Sequence, residues 1–125
     1  MSLNTFGFDI TEEGGILRFT LAGPATLRDL LRAVAAVTGE TQARNIWLVL
    51  CDATAITPPL GAFERFEVGV ELARAADRRL KLAVVARAEL IDHVFENVAR
   101  NRGASVAVFA DEAAALQWLL GDATE

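Results

Sequence analysis

The residues of this chain that could act on a ligand or partner gather around one stretch, Asn45-Ile46-Trp47-Leu48-Val49-Leu50-Cys51-Asp52. The segment Ala53-Thr54-Ala55-Ile56-Thr57-Pro58-Pro59 follows it. An apolar run leads to a thiol and a carboxylate, and then to two hydroxyls at Thr54 and Thr57. In an open α/β sheet, ligands and switches sit outside the carboxyl ends of the strands. Asp52, Thr54, Thr57, Pro58 and Pro59 are therefore the candidate interaction loop. Asp52 also has a structural use there, accepting from nearby loop amides in an Asx-type turn. Cys51 is expected to be a small core residue, because a reactive thiol needs an exposed, electropositive setting.

Other chemistry-bearing groups have plainer readings. His93 is the one histidine, with Glu89 and Glu96 at spacings of four and three. One histidine and two flexible glutamates fall short of a zinc ligand set, so a solvated helix face is expected. A Cys51–His93 nucleophile and base pair would have to be assembled from separate elements. Glu64, Glu67 and Glu71 share a helical face and read as soluble surface rather than paired catalytic carboxylates. The chain has no glycine-rich phosphate loop, nucleophile elbow or paired-cysteine motif. No catalytic residue, metal or cofactor is expected. Phe63 and Phe66, directly after the candidate loop, are the expected lining of an apolar pocket between the second helix and the sheet.

Composition narrows the function classes. The 125 residues are enough for one domain spanning residues 1–125, and 53% are apolar. Seventeen acidic against 12 basic residues leave a net charge of −5, the wrong sign for a nucleic-acid surface. No apolar run approaches membrane-spanning length, so no membrane insertion is expected. Met1-Ser2-Leu3-Asn4-Thr5 lacks the layout of a signal peptide. A lone cysteine permits no internal disulfide and suits a reducing compartment. A cytoplasmic location is expected.

The elements that must position these groups follow from periodicity and punctuation. Thr5–Ile10 and Gly15–Leu21 alternate or are rich in β-formers, with glycines between them, and predict an antiparallel hairpin. Thr26 and Asp29 form a capping-box pattern. Leu27, Leu30, Leu31, Val34 and Val37 then recur at helical spacing, and Gly39 is placed for a left-handed C-cap. Ile46 to Cys51 is apolar without alternation, as in a central strand covered on both faces. Leu60, Phe63, Phe66, Val70 and Ala73 give the apolar stripe expected of a second helix. Its charges run from acidic to basic, and Glu71 and Arg74 are spaced to pair. Gly69 in mid-helix costs about 1 kcal/mol against alanine, which close packing on a neighbour would explain. Leu80–Ala86 is the fourth strand. Glu89 to Arg102 is the third helix, with Leu90, Ile91, Val94, Phe95 and Val98 inward and Gly103 at its end. Ser105–Phe109 is the fifth strand, and Asp111 N-caps a last helix through Leu120.

The order β-β-α-β-α-β-α-β-α predicts an α/β fold with a mixed, mostly parallel five-stranded sheet. If consecutive strands are neighbours, right-handed crossovers place the connecting helices on one face. The other face would then need a cover, either a second subunit or an apolar ligand.

The hairpin, the apolar strand ending in Leu48-Val49-Leu50-Cys51-Asp52 and the helix after a short loop resemble STAS domains, which include the anti-sigma-factor antagonists. Phe95-Glu96-Asn97-Val98-Ala99-Arg100-Asn101-Arg102-Gly103, Val106-Ala107-Val108-Phe109 and Asp111-Glu112-Ala113-Ala114-Ala115-Leu116-Gln117-Trp118-Leu119 look more like the SpoIIAA-like subgroup, which is related to lipid-binding Sec14-type domains. The resemblance implies a SpoIIAA-like architecture and a non-enzymatic regulatory module with a protein partner, working as a homodimer. Its alternative is a carrier or sensor of a small apolar, lipid-like molecule. One feature departs from the pattern. Antagonist STAS domains carry an aspartate, two serines and a glycine in this loop, and one serine is phosphorylated by the partner kinase. Here the place reads Ile56-Thr57-Pro58-Pro59-Leu60-Gly61, and the only serines are Ser2 and Ser105. Thr57 is the nearest hydroxyl for a phosphate at a helix N-terminus. Pro58 and Pro59, however, remove two of the amides that would hold it.

Overall fold

Gly14 and Gly15, at φ 60° and 82°, turn the chain between β1 (Gly7–Glu13) and β2 (Ile16–Gly23). Two consecutive positive φ values are what a two-residue hairpin loop needs to match strand twist. The turn uses these two glycines alone, so both strands extend further toward the carboxyl end than the expected Thr5–Ile10 and Gly15–Leu21. The computed structural model describes residues 5–57, 61–88, 91 and 93–121.

The capping box forms as its sequence predicts. Asp29 N–H donates to Thr26 Oγ1 at 3.1 Å, and Thr26 N–H donates to Asp29 Oδ2 at 3.0 Å. It starts α1 (Leu27–Arg44), which runs through Gly39 rather than ending there. Thr41, one turn before the end, is buried and gives the helix a core contact beyond the glycine. Asn45 instead takes the left-handed conformation, at φ 55°, which asparagine tolerates. Thr26→Ala is expected to lower stability by about 1 kcal/mol in a urea titration. The Thr26 amide holds the Asp29 carboxyl below its ordinary range. The Asp29 contribution is therefore complete above that range and is lost as pH falls through the lowered value. The gap between wild type and an Asp29→Asn variant should close in acid.

The remaining elements are β3 (Leu48–Ile56), α2 (Ala62–Ala75), β4 (Lys81–Val85), α3 (Val94–Asn101), β5 (Ser105–Phe109) and α4 (Glu112–Leu120). The third helix is shorter than the expected Glu89 to Arg102. His93, at φ 67°, stands at its N-cap, while Glu89 and Leu90 lie outside the described residues. Asp111 caps α4 as expected, accepting from Ala114 N–H at 2.8 Å. The Glu71–Arg74 pair also forms, with Arg74 Nε donating to Glu71 Oε1 at 3.0 Å.

The strands lie in chain order, β1-β2-β3-β4-β5, with β1 antiparallel to β2 and the rest parallel. Three crossovers in one direction put α1, α2 and α3 on one face. There Leu17, Phe19, Leu21, Val49, Cys51, Leu82 and Val106 meet Leu30, Val34 and Val37 of α1, Leu72 of α2 and Ala99 of α3. The opposite face does not await a partner. Ala115 and Leu119 of α4 cover Ile16, Leu50, Ala83 and Val85, with Phe109 and Trp118 packed against them. Toward β1 that face is polar, and Arg18 closes it by pairing with Glu112 of α4 at 2.6 Å and Glu13 at 3.2 Å. The sheet-face argument for a covering subunit or ligand therefore fails.

Candidate functional site

The segment read as a loop after Asp52 is mostly strand. β3 continues to Ile56, pairing Ala55 with Ala22 and Ile56 with Gly23 after a register shift in β2 between Thr20 and Ala22. Two polar side chains fit in a strand here because they satisfy each other. Asp52 Oδ1 accepts from Thr54 N–H at 3.0 Å and from Thr54 Oγ1 at 2.6 Å. Asp52 is thus the backbone-bonded carboxylate that its sequence position suggests, but inside the strand. Thr57 follows with its side chain exposed and its N–H donating to Gly23 O at 3.1 Å. Gly23 has no substitute at that corner, since it sits at φ 97° and a Cβ would lie 2.5 Å from Thr5 O. Pro58 and Pro59 lie outside the described residues. Of the candidate loop, Asp52 and Thr54 are half-buried and tied down, and Thr57 is the exposed corner.

α2 is rotated relative to the expected stripe. Phe63 is 64% exposed and Phe66 40%, so neither lies beneath the helix as a pocket lining would. The inward face is instead Arg65, Val68, Gly69 and Leu72. Gly69 fixes this rotation, because α3 crosses so closely that a Cβ there would lie 2.8 Å from Phe95 O. Against the mean direction of Arg65, Val68, Gly69 and Leu72, Phe63 falls on the far side of the helix and Phe66 on its flank, at about 100° per residue. Phe66 is accompanied outside by Arg102, whose guanidinium carbon lies 5.8 Å from the ring centroid.

Beneath the inward face lies an apolar cleft of about 170 Å³ between α2, α1 and the sheet. Val34, Val68, Leu72 and Phe95 contribute to its walls, along with Cys51, Ala53 and Ile56 from the carboxyl half of β3. Arg65 is the one charged residue among the described residues that line it. The expected position of a pocket, between the second helix and the sheet, is thus occupied by a cleft with different walls. Arg65 escaped the sequence reading because it is a charge on an otherwise apolar face. Gly69 was the available signal, since a helix glycine explained by close packing marks the side that faces its neighbour.

The remaining chemistry-bearing groups stay apart. Burial, with the nearby Asp52 charge, pushes the Cys51 thiol up to about 12, which keeps it neutral. His93 is exposed and its Nδ1 lies 2.7 Å from Glu96 Oε1. Glu96 is not on a solvated face as expected but buried, with Arg100 Nη1 3.8 Å from its other oxygen. No group of three or more histidine, cysteine, aspartate or glutamate side chains is arranged for a metal ion among the described residues. Among the same residues, no helix is long and apolar enough to cross a membrane.

Comparison with known proteins places this geometry in a fold class. An anti-sigma factor antagonist from Mycobacterium paratuberculosis superposes with a TM-score of 0.66 at 14% identity, over 92% of this chain and 94% of its own. An uncharacterized protein with a SpoIIAA-like fold from Shewanella loihica superposes with a TM-score of 0.58 at 20% identity, over 95% of this chain and 98% of its own. The chain has a SpoIIAA-like fold, and its α/β topology with a five-stranded mixed sheet is the one that the resemblance implied. No protein-family model and no curated protein matches the sequence.

Proposed function

We propose that the chain is a non-enzymatic, cytoplasmic regulatory module that binds a protein partner through the outer face of α2 and the Thr57 corner. The observation that carries this reading is the exposure of Phe63 and Phe66 on the first two turns of α2. Two phenylalanines in solvent next to an exposed strand-to-helix corner form a compact apolar patch, and aromatic residues are the usual anchors of protein interfaces. Arg102 beside Phe66 supplies a cation at the patch rim. The likeness to an anti-sigma factor antagonist favours an anti-sigma factor as the partner class. No phosphoserine is available at the corner, so the contact is regulated by something other than the STAS serine. A homodimer of the kind the resemblance implies would not use the sheet face that α4 covers.

Affinity capture from the source cells with the wild type, a Phe63→Ala/Phe66→Ala variant and Thr57→Glu tests the surface. The expected result is a partner held by the wild type and bound at least about 30-fold more weakly by the double variant, the loss of one interface hot spot of about 2 kcal/mol. Thr57→Glu should weaken the same partner. A partner retained by both variants rules the surface out.

A second reading, binding of a small apolar ligand, has one observation in its favour, the apolar cleft under α2. Its volume is well below the roughly 300–1,000 Å³ of sites for drug-sized molecules, which argues against an enclosed long-chain lipid.

A further inference from the structure

We propose that the cleft under α2 takes a compact apolar carboxylate, about the size of benzoate, with its carboxylate against Arg65. The inference rests on the ligand reading of the cleft and names the class of ligand. Three features carry it. The first is size: about 170 Å³ is close to the roughly 150 Å³ of an apolar cavity that stays dry and admits benzene. The second is place. Cys51, Ala53 and Ile56 of β3, with Val84 and Ala86 at the end of β4, put the cleft at the carboxyl ends of two central parallel strands. Open α/β sheets bind ligands at the carboxyl ends of their strands, although this sheet, with its strands in chain order, has no switch point there.

The third is charge. Arg65 lies among apolar neighbours on the inward face of α2, its Nε buried, while two phenylalanines of the same helix are left outside. A guanidinium is planar and weakly hydrated for a cation, and it matches a carboxylate with two parallel hydrogen bonds. No acidic residue is among the described residues lining the cleft, and the Cys51 thiol there is neutral. A carboxylate therefore meets one cation and no anion from those walls, with its hydrocarbon body against Val34, Val68 and Leu72.

Titration of the isotope-labelled protein with sodium benzoate and, separately, benzyl alcohol, followed by methyl NMR, tests this. The two probes share an aromatic body and differ in charge. Benzoate is expected to shift the methyl signals of Val34, Val68 and Leu72 and to bind at least tenfold more tightly than benzyl alcohol. In an Arg65→Gln variant shown to be folded by circular dichroism, that preference should vanish while benzyl alcohol binds as before. Equal affinities for the two probes in the wild type, or a preference unchanged in Arg65→Gln, overturn the carboxylate assignment but leave an apolar cleft. Absence of binding by both probes, or shifts confined to other methyls, overturns the ligand reading as well. If Arg65→Gln fails to fold, the wild-type comparison of the two probes still decides.

Discussion

Phe19→Ala is expected to destabilise the fold by about 3–5 kcal/mol, whereas Phe63→Ala should change stability by no more than about 0.5 kcal/mol. The two substitutions are chemically identical and the structure separates them by burial alone. Phe19 is fully buried in the middle of β2, opposite Ile10 of β1 and Cys51 of β3, with the Phe8 ring 6.1 Å away. Its removal leaves a void on the helix-covered face that neighbouring strands, fixed by their ladders, cannot close. Phe63 is 64% exposed, and truncation there mainly exchanges one solvated group for another. A domain with about 5–15 kcal/mol of total stability would lose a large share of it through the first change. Urea titrations of both variants check the prediction. Comparable losses at the two positions would mean that Phe63 is buried and would remove the apolar patch from the proposed interface.

That contrast also shows where the sequence was legible. Most local signals translated directly, the Gly39 cap being the exception. The Thr26/Asp29 box, the Asp111 cap, the paired glycines of the hairpin and the Glu71–Arg74 spacing each involve groups a few residues apart, so the chain specifies them without reference to the rest of the fold. The parallel order of β2 to β5 followed from the alternation of strands and helices. What stayed hidden depended on contacts across the chain. Asp52 looked like a strand end because a carboxylate is costly inside a sheet, yet Thr54 satisfies it and the strand continues. α2 is apolar on more than one side, so periodicity alone could not choose between Phe63/Phe66 and Val68/Leu72 as the buried set. The position of α4 was open for a different reason. Handedness constrains a helix that joins two parallel strands, and α4 is followed by no strand, which leaves it free to return on the opposite face.

Gly69 carries the second large effect. Gly69→Ala would ordinarily gain about 1 kcal/mol from helix propensity. Here the new methyl would lie 2.8 Å from the Phe95 carbonyl oxygen and 3.2 Å from Val98 Cβ. The first of these is a backbone atom within α3, so relief requires the two helices to separate. Overpacking of this kind costs about 1–3 kcal/mol, and the net result is expected to be destabilising despite the propensity gain. Gly69→Val adds branched bulk at the same crossing and should be worse than alanine in a urea titration. A stabilised Gly69→Ala would show that the α2–α3 crossing is looser than its geometry implies. The same contact sets the rotation of α2, holding Arg65, Val68 and Leu72 over the cleft and leaving Phe63 and Phe66 in solvent. Gly69→Ala should therefore weaken benzoate binding in the cleft, because the helix that roofs it must move. Partner binding by the Phe63/Phe66 patch should be affected less, since both anchors sit on α2 itself and move together. Measured on one folded variant, the two affinities separate the inside of this helix from its outside.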